Sequence, residues 1–274
     1  MGVETFIQEC YNYTRSTSEE WKWYVENFGR WVDFDNSYKT MDNDYMESVW
    51  WVFKTIYDKD MMYEGKRVSM YSTKLSTPIS NHEVAMDNTY EEVNDPAIVV
   101  KFDVSMNDGY EDNTFVLAWT TTPWTIPANM ALGVHREIEY VKVLNEGSHY
   151  IVAKARVEDI FKTKGEYDIV DEFNGEQLIG LNYKPPFDYY YGKTQGEKDH
   201  TILFAEFATD DSGTGIVHQA PEFGEDDFNL SKAESITMTE AMDSQGNYTD
   251  DIYDLTGSFY RDANDEITKR LADI

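Results

Sequence analysis

Residues 115–135 read FVLAWTTTPWTIPANMALGVH, a run typical of a β-strand that ends in three threonines and then meets two prolines. Consecutive hydroxyls at a strand end, followed by prolines that fix the backbone, form a rigid rim of hydrogen-bonding groups that can hold a polar substrate. A purely structural interpretation stays open, because threonine favours strands and proline ends strand pairing. The candidate site residues in this stretch are Trp119, Thr120, Thr121, Thr122 and Asn129, whose amide can orient a carbonyl or a water.

A second stretch, SGTGIVHQAPEFGEDDF at residues 212–228, places His218 at the end of a short apolar strand. Three acids, the last of them Asp227, then open a predicted helix, and nearby glycines allow the backbone to approach a ligand closely. The alternative is that His218 is a packed, hydrogen-bonded histidine and that the acids only complement the helix dipole. Taken alone, this stretch leaves both interpretations open.

The pattern on either side of these stretches predicts the fold class. Up to about Asp60 apolar residues recur at helical spacing, as in MDNDYMESVWWVFKTIYDKDMMY, where Asp42 or Asn43 can cap the helix. After Gly65 come short β-rich segments and two short helices, in VEDIFKTKG and FGEDDFNLSKAES. The β-rich segments are KRVSMYSTKL, AIVVKFDVS, NTFVLAWTTT, IEYVKVLNEGSHYIVAKA and HTILFAEFA. The sequence therefore predicts an α+β protein, with a mainly helical part over 1–94 and a β-barrel-like domain with surrounding helices over 95–274.

Charge limits the partners of the protein. The 274 residues include 23 Lys and Arg against 52 Asp and Glu, a net charge of −29, and most of this excess lies after Asn94. Such a charge repels phosphate at long range, so a nucleic-acid partner needs a local exception. The plainest interpretation of the acids is a solvated surface.

Other classes are disfavoured by what the sequence lacks. No apolar stretch approaches the length of a membrane span, and no secretory signal is recognisable, so we expect no membrane partner. Cys10 is the only cysteine, which excludes an internal disulfide and a cysteine-rich zinc site and favours a reducing compartment. The sequence has no phosphate-binding loop, no nucleophile elbow and no zinc-protease motif.

The two motifs resemble those of a known family. WTTTPWTIPAN is similar to the threonine-rich editing motif of the isoleucyl-tRNA synthetases, and GTGIVHQAPEFGEDDF is similar to their second editing motif, in the same order and spacing. Trp124 and His218 favour the isoleucyl branch over the valyl and leucyl branches. The flanks agree, so the resemblance covers nearly the whole chain; they are GRWVDFDNSYKTMDNDYMESVWWVFK, YSTKLSTPISNHE and YKPPFDYY.

The resemblance also divides the chain by function. It implies that residues 1–94 contain the root of the connective insertion and helices of the synthetase body, and that residues 95–274 are the editing domain. The HIGH-like and KMSKS-like signatures are absent. The resemblance therefore implies that aminoacylation, with its ATP, belongs to another part of the synthetase, and that editing needs no cofactor. YSTKLSTP lacks the cysteines with which some members bind zinc, so no metal is expected.

The activity implied is hydrolysis of the ester that joins valine to the terminal adenosine of isoleucine tRNA, in the cytoplasm. One methylene gives only about 1–3 kcal/mol of discrimination, and the standard worked example of this limit is the same family. By resemblance, the three threonines hold the 3′ end and the attacking water, and Asn129 supports them. His218 narrows the side-chain pocket against isoleucine, and Asp227 pairs with the α-ammonium group. The implied partners are the valine-carrying 3′ end of tRNA(Ile) and the rest of the synthetase chain.

Alternatives stay open at this stage. His218 is either a steric wall or a general base, since its ordinary pKa lies near neutrality. The chain is either a hydrolase, or a tRNA-binding or assembly module of the synthetase without turnover of its own, which the acidic surface permits. A generic β-barrel that binds a small molecule requires both motif matches to be coincidental.

Overall fold

All 274 residues are described by the computed structural model, which divides into two compact units, Met1–Gly65 and Lys66–Ile274. The functional boundary that the resemblance implies at residues 94/95 is not the same as this structural division, and it stays a prediction. No helix in either unit combines the length and apolar character that a membrane span requires.

The first unit is helical, as its periodicity predicts. Helix α1 covers Val3–Asn27 and helix α2 covers Asn43–Tyr57. Asp42 occupies the N-cap position of α2 with extended backbone, although its side chain makes no capping hydrogen bond. Neither helix buries a single residue within the structure, so their aromatic side chains are exposed.

The second unit carries the strands. The strands are β1 (Tyr71–Ser72), β2 (Thr77–Pro78), β3 (Ile98–Asp103), β4 (Thr114–Thr120), β5 (Ala131–Val134), β6 (Glu139–Asn145), β7 (Ser148–Ala153), β8 (Asp168–Asn174), β9 (Thr201–Phe204) and β10 (Val217–Gln219). Its helices are α3 (Asn81–Val84), α4 (Val157–Phe161), α5 (Glu225–Glu234) and α6 (Asn264–Ala272). The two short helices expected after residue 150 are present as α4 and α5. The segment KRVSMYSTKL is mostly irregular, because only Tyr71–Ser72 pairs, with Thr77–Pro78.

The α+β class is confirmed, but the barrel is not closed. The strands form a five-stranded sheet, β3-β4-β7-β6-β8, a three-stranded sheet, β10-β5-β9, and the β1-β2 hairpin. Strand β8 is an outer edge: it pairs only with β6, and all but one of its residues are exposed. Residues 182–184 connect the sheets through isolated bridges, Asn182 to Thr201 and Lys184 to Asp103.

The packing of strand β4 explains why its sequence is apolar on both faces. Val116 and Ala118 pack into the main core between the sheets, while Leu117 packs into a second core beneath α4. A strand buried on both sides is nearly continuously apolar rather than alternating. Val116, Leu117 and Ala118 therefore anchor the strand, and the threonines begin at its last residue, Thr120.

Candidate functional site

The two chemistry-bearing stretches meet around one cavity of about 390 Å³. Its walls come from the end of β4, the loop before β10, the end of β10 and the start of α5. They include six of the seven residues singled out from the sequence, Trp119, Thr120, Thr121, Thr122, His218 and Asp227. Asn129 is the exception, since it is buried and does not line the cavity.

The threonines form an ordered turn at the strand end. The Thr122 backbone N–H donates to Oγ1 of Thr120 over 3.0 Å, and the two hydroxyl oxygens lie 3.1 Å apart. Pro123 then starts a 3₁₀ helix, Pro123–Ala128, in which a missing N–H costs nothing at the first position. Thr121 is the exposed member of the three. The strand end thus presents hydroxyls on a backbone that its own hydrogen bonds hold in place.

The loop facing the threonines is attached to the five-stranded sheet. The hydroxyl of buried Tyr140 donates to the Gly215 carbonyl over 2.7 Å, and the Ala153 N–H donates to the Thr214 carbonyl over 2.9 Å. Gly215 has φ of +79°, and a Cβ there would overlap the Cβ of Ala153. Only glycine fits this position, and it brings the loop backbone to the cavity wall.

Trp119 lies opposite the same loop. Its side chain is 41% exposed, and a Cβ added at Gly213 would lie 3.2 Å from its Cβ and Cε3 atoms. Arg156 holds the loop at that point through a hydrogen bond from Nε to the Gly213 carbonyl over 3.2 Å. The indole therefore forms an aromatic rim over the threonine end of the cavity.

His218 reaches the cavity because β10 pairs with β5. Their antiparallel register sets His218 against Leu132, just beyond Asn129 in the chain. Nε2 of His218 lies 2.9 Å from Oγ1 of Thr125, and Nδ1 lies 2.8 Å from Nδ2 of Asn129. Burial lowers the pKa of His218 to about 3, so the ring is neutral at physiological pH. Both nitrogens are used inside the protein, and the ring offers the cavity no free hydrogen-bonding atom.

Asp227 enters the cavity from the first turn of α5. Gly224 is the N-cap residue of this helix, and the Ala220 N–H donates to Oδ1 of Asp227 over 2.8 Å. Burial raises the pKa of Asp227 to about 6, in spite of backbone hydrogen bonds that lower it. The carboxylate is therefore a desolvated anion at neutral pH, and such an anion attracts a cationic group strongly.

No group of three or more His, Cys, Asp or Glu side chains in the structure is arranged to hold a metal ion. The chemistry at hand is that of hydroxyls, one carboxylate, a neutral imidazole and backbone amides.

Comparison with known proteins decides the family. Residues 1–264 match the family described as tRNA synthetases class I (I, L, M and V). This chain belongs to the class I tRNA synthetases. The resemblance to the isoleucyl branch is confirmed as well, because the curated relatives are isoleucine–tRNA ligases.

Three of these synthetases show the extent of the match. The chain is 42% identical to the enzyme of Chlamydia trachomatis serovar D over 98% of its own length and 26% of the relative. It is 41% identical to the enzyme of Bacillus thuringiensis over 99% of its length and 25% of the relative. It is 39% identical to the cytoplasmic enzyme of Mus musculus over 99% of its length and 22% of the relative. The chain spans about a quarter of the length of the synthetases that it matches.

A solved structure described as GlLeuRS-CP1 shares the fold, with a TM-score of 0.50 at 16% identity over 65% of this chain and 96% of that one. A leucyl-tRNA synthetase editing domain from P. knowlesi is a more distant structural neighbour, with a TM-score of 0.38 at 15% identity over 51% of this chain and 63% of that one.

Two polar residues at this site are not among the candidates that the sequence indicated. Thr125 lies within the threonine-rich stretch, three residues after Thr122, and its hydroxyl oxygen faces His218. Tyr183 is the first residue of YKPPFDYY, and its hydroxyl donates to Oδ1 of Asn129 over 2.6 Å. Thr125 is a further hydroxyl residue in the threonine-rich stretch, and this is the signal by which the sequence indicates it. Nothing in the sequence connects Tyr183 with Asn129.

Proposed function

We propose that this chain carries the hydrolytic editing site of an isoleucyl-tRNA synthetase, which removes valine from tRNA(Ile). The observation that carries the proposal is the shared cavity of the threonine-rich strand end and the His218–Asp227 stretch. Ligand pockets typically have volumes of about 300–1,000 Å³, and this one lies within that range. Its polar groups match an ester that ends in a ribose and carries an ammonium group.

Asp227 suits the α-ammonium group of the aminoacyl ester. Its Oδ1 accepts one backbone N–H, and a carboxylate has lone pairs left for further donors. A charge-assisted hydrogen bond in a desolvated site contributes about 1.5–3 kcal/mol. This contact recognises an amino acid whatever its side chain, so discrimination has to come from another wall.

His218 suits that wall. Its ring lines the cavity with both nitrogens bonded to other side chains, so what it presents to a ligand is steric bulk. A rigid wall excludes a side chain that is one methylene too long, because close-packed protein yields little to an extra carbon. The valyl group then enters and the isoleucyl group does not.

The reaction needs a positioned water rather than a protein nucleophile. The water oxygen bonds to the ester carbonyl carbon, the bond from that carbon to the ribose oxygen breaks, and the proton of the water passes to the ribose oxygen. The products are valine and uncharged tRNA. Thr120, Thr121 and Thr122 supply hydroxyls that orient the water and the ribose, so the rate gain comes from orientation and hydrogen bonding in the transition state.

A groove beside the cavity offers the RNA a less acidic approach. It has a volume of about 790 Å³ and shares Trp119 and Gly213 with the cavity. Its lining includes Lys101, Arg156 and Lys164 against two acids. In a chain with more than twice as many acids as bases, this is a local surplus of cations, which favours a phosphate backbone.

We assign the editing domain to residues 95–274 and place residues 1–94 at its junction with the synthetase body. Residues 66–94, with the β1-β2 hairpin and α3, then belong to the second compact unit without lining the cavity. We place the activity in the cytoplasm, in keeping with the name of the mouse relative.

The test is deacylation by the 274-residue chain. Val-tRNA(Ile) and Ile-tRNA(Ile), each charged beforehand, are incubated with the protein, and loss of the ester is followed over time. We expect faster hydrolysis of the valyl ester than of the isoleucyl ester. Equal hydrolysis of both contradicts the steric selection. Binding of tRNA without hydrolysis of either ester supports a tRNA-binding or assembly module instead.

A further inference from the structure

Four side chains, two in the cavity wall and two behind it, form a continuous line of hydrogen bonds. The Tyr183 hydroxyl lies 2.6 Å from Oδ1 of Asn129, and Nδ2 of Asn129 lies 2.8 Å from Nδ1 of His218. Nε2 of His218 lies 2.9 Å from Oγ1 of Thr125, which lies 2.9 Å from the carbonyl oxygen of Thr122. The line joins a residue of the linking segment at 182–184 to the threonine turn.

The orientation of the Asn129 amide is fixed from two sides. Its Nδ2 lies 3.0 Å from the carbonyl oxygen of Ala131, which only accepts hydrogen bonds, so this end must be the NH₂ group. Its oxygen accepts the Tyr183 hydroxyl. Turning the amide over would bring its oxygen against the Ala131 carbonyl, so the second hydrogen of the NH₂ group points to Nδ1 of His218.

The direction of every other bond follows. Nδ1 of His218 accepts a hydrogen, so the proton of the neutral ring is on Nε2 and is donated to Oγ1 of Thr125. Thr125 then uses its own hydrogen for the Thr122 carbonyl. A second proton on His218 would set an N–H against the NH₂ group of Asn129.

We propose that Asn129 and Tyr183 are positioning residues that hold His218 as the neutral Nε2–H tautomer, a fixed wall that accepts no proton during hydrolysis. Asn129 acts through His218 and not on the threonines directly. The part of this inference that concerns discrimination between valine and isoleucine rests on the proposed editing function. The part that concerns the tautomer of His218 does not.

The first test is the tautomer in the 274-residue chain labelled with ¹⁵N-histidine. Two-bond ¹⁵N–¹H correlation spectra at pH 7 distinguish the ring forms, and His218 is identified as the signal missing from His218→Gln. We expect Nδ1 unprotonated and Nε2 protonated. A proton on Nδ1, on both nitrogens, or shared between two exchanging forms overturns the inference.

Asn129→Asp reverses the polarity of one bond. A carboxylate accepts from both Tyr183 and His218, so we expect the proton to appear on Nδ1 of His218. An unprotonated Nδ1 in this variant shows that Asn129 does not set the tautomer. If the variant does not fold, the spectrum of the parent protein still decides the tautomer.

The activity arm compares Tyr183→Phe with Tyr189→Phe. Tyr189 is also a buried tyrosine, whose hydroxyl donates to Asp254 over 2.6 Å, away from the cavity. We expect the ratio of valyl to isoleucyl ester hydrolysis to fall roughly three- to tenfold in Tyr183→Phe and to stay unchanged in Tyr189→Phe. An unchanged ratio in both overturns the positioning role of Tyr183. A parent protein with the expected tautomer but no hydrolysis contradicts the proposed function alone, and hydrolysis with Nδ1 protonated contradicts this inference alone.

Discussion

The backbone N–H of Ala220 donates to Oδ1 of Asp227 over 2.8 Å, joining the residue that follows β10 to the first turn of α5. This bond points the carboxylate into the cavity that His218, two residues before Ala220, also lines. Asp227 is thus a half-buried anion held by neutral backbone N–H groups, with capacity left for a ligand. Three of the predictions below depend on that charge.

Asp227→Asn removes the charge and keeps an oxygen for the Ala220 N–H. Because the lost contact is charge-assisted, we expect kcat/KM for the valyl ester to fall by about 10- to 100-fold. Steady-state deacylation measures this loss. The matched control is a tRNA ester of the α-hydroxy analogue of valine, which has no ammonium group, and equal losses on both substrates contradict the ammonium contact.

We expect valyl ester hydrolysis to have an acid limb that is set by Asp227. With a pKa raised to about 6, its carboxyl becomes neutral below that pH and loses its attraction for the ammonium group. We therefore expect kcat/KM to fall as the pH drops below about 6. His218, with its pKa lowered to about 3, contributes no change in this range. A limb of the same midpoint in Asp227→Asn contradicts the assignment.

The same pKa makes a prediction about stability. A carboxyl whose pKa is higher folded than unfolded binds its proton more tightly in the folded state, so its ionisation destabilises the protein as the pH rises from about 4 to 6. We expect Asp227→Asn to raise the free energy of unfolding at pH 7 by about 1–2 kcal/mol, and by much less at pH 4. Urea unfolding at the two pH values checks this. A variant that is less stable at pH 7 contradicts the desolvation of the charge.

His218→Ala opens the wall of the cavity. We expect isoleucyl ester hydrolysis to rise by about 10- to 100-fold relative to valyl ester hydrolysis, the range that one methylene commands, with the valyl reaction retained. His82→Ala, at an exposed histidine of α3, is the control and should change neither rate. Loss of both reactions in His218→Ala contradicts the steric role and supports a general base.

Gly215→Ala tests the loop that faces the threonines. The new Cβ overlaps that of Ala153 at a backbone with φ of +79°. Gly180 is a matched control, since its φ is +93° but a Cβ there meets nothing within 4 Å. Both substitutions bear the strain of positive φ, and we expect Gly215→Ala to lose about 1–3 kcal/mol of unfolding free energy more than Gly180→Ala. Equal losses in thermal or urea unfolding contradict a tightly packed loop.

Much of the local structure was predictable from periodicity. The aromatic pattern before residue 60 gives the two helices, and the apolar run before Thr120 gives a strand. The hairpin near Tyr71 is shorter than its β-rich sequence indicates, since strand length depends on available partners. The open edge of the sheet at β8 was not predicted either, because the sequence does not show which strands find a second partner. Closure of a sheet depends on how strands tilt and pair, and residue preferences carry no information on that.

The sequence by itself determined the family, the two motifs and the chemical types that surround the cavity, because these are written in consecutive residues. Tertiary structure alone decided the place of Asn129. It lies behind His218, 89 residues away in the chain, because the pairing of β5 with β10 brings their ends together. Tyr183 joins them from a third segment. Hydrogen bonds between distant segments follow from strand register, and register is fixed only when the whole core packs.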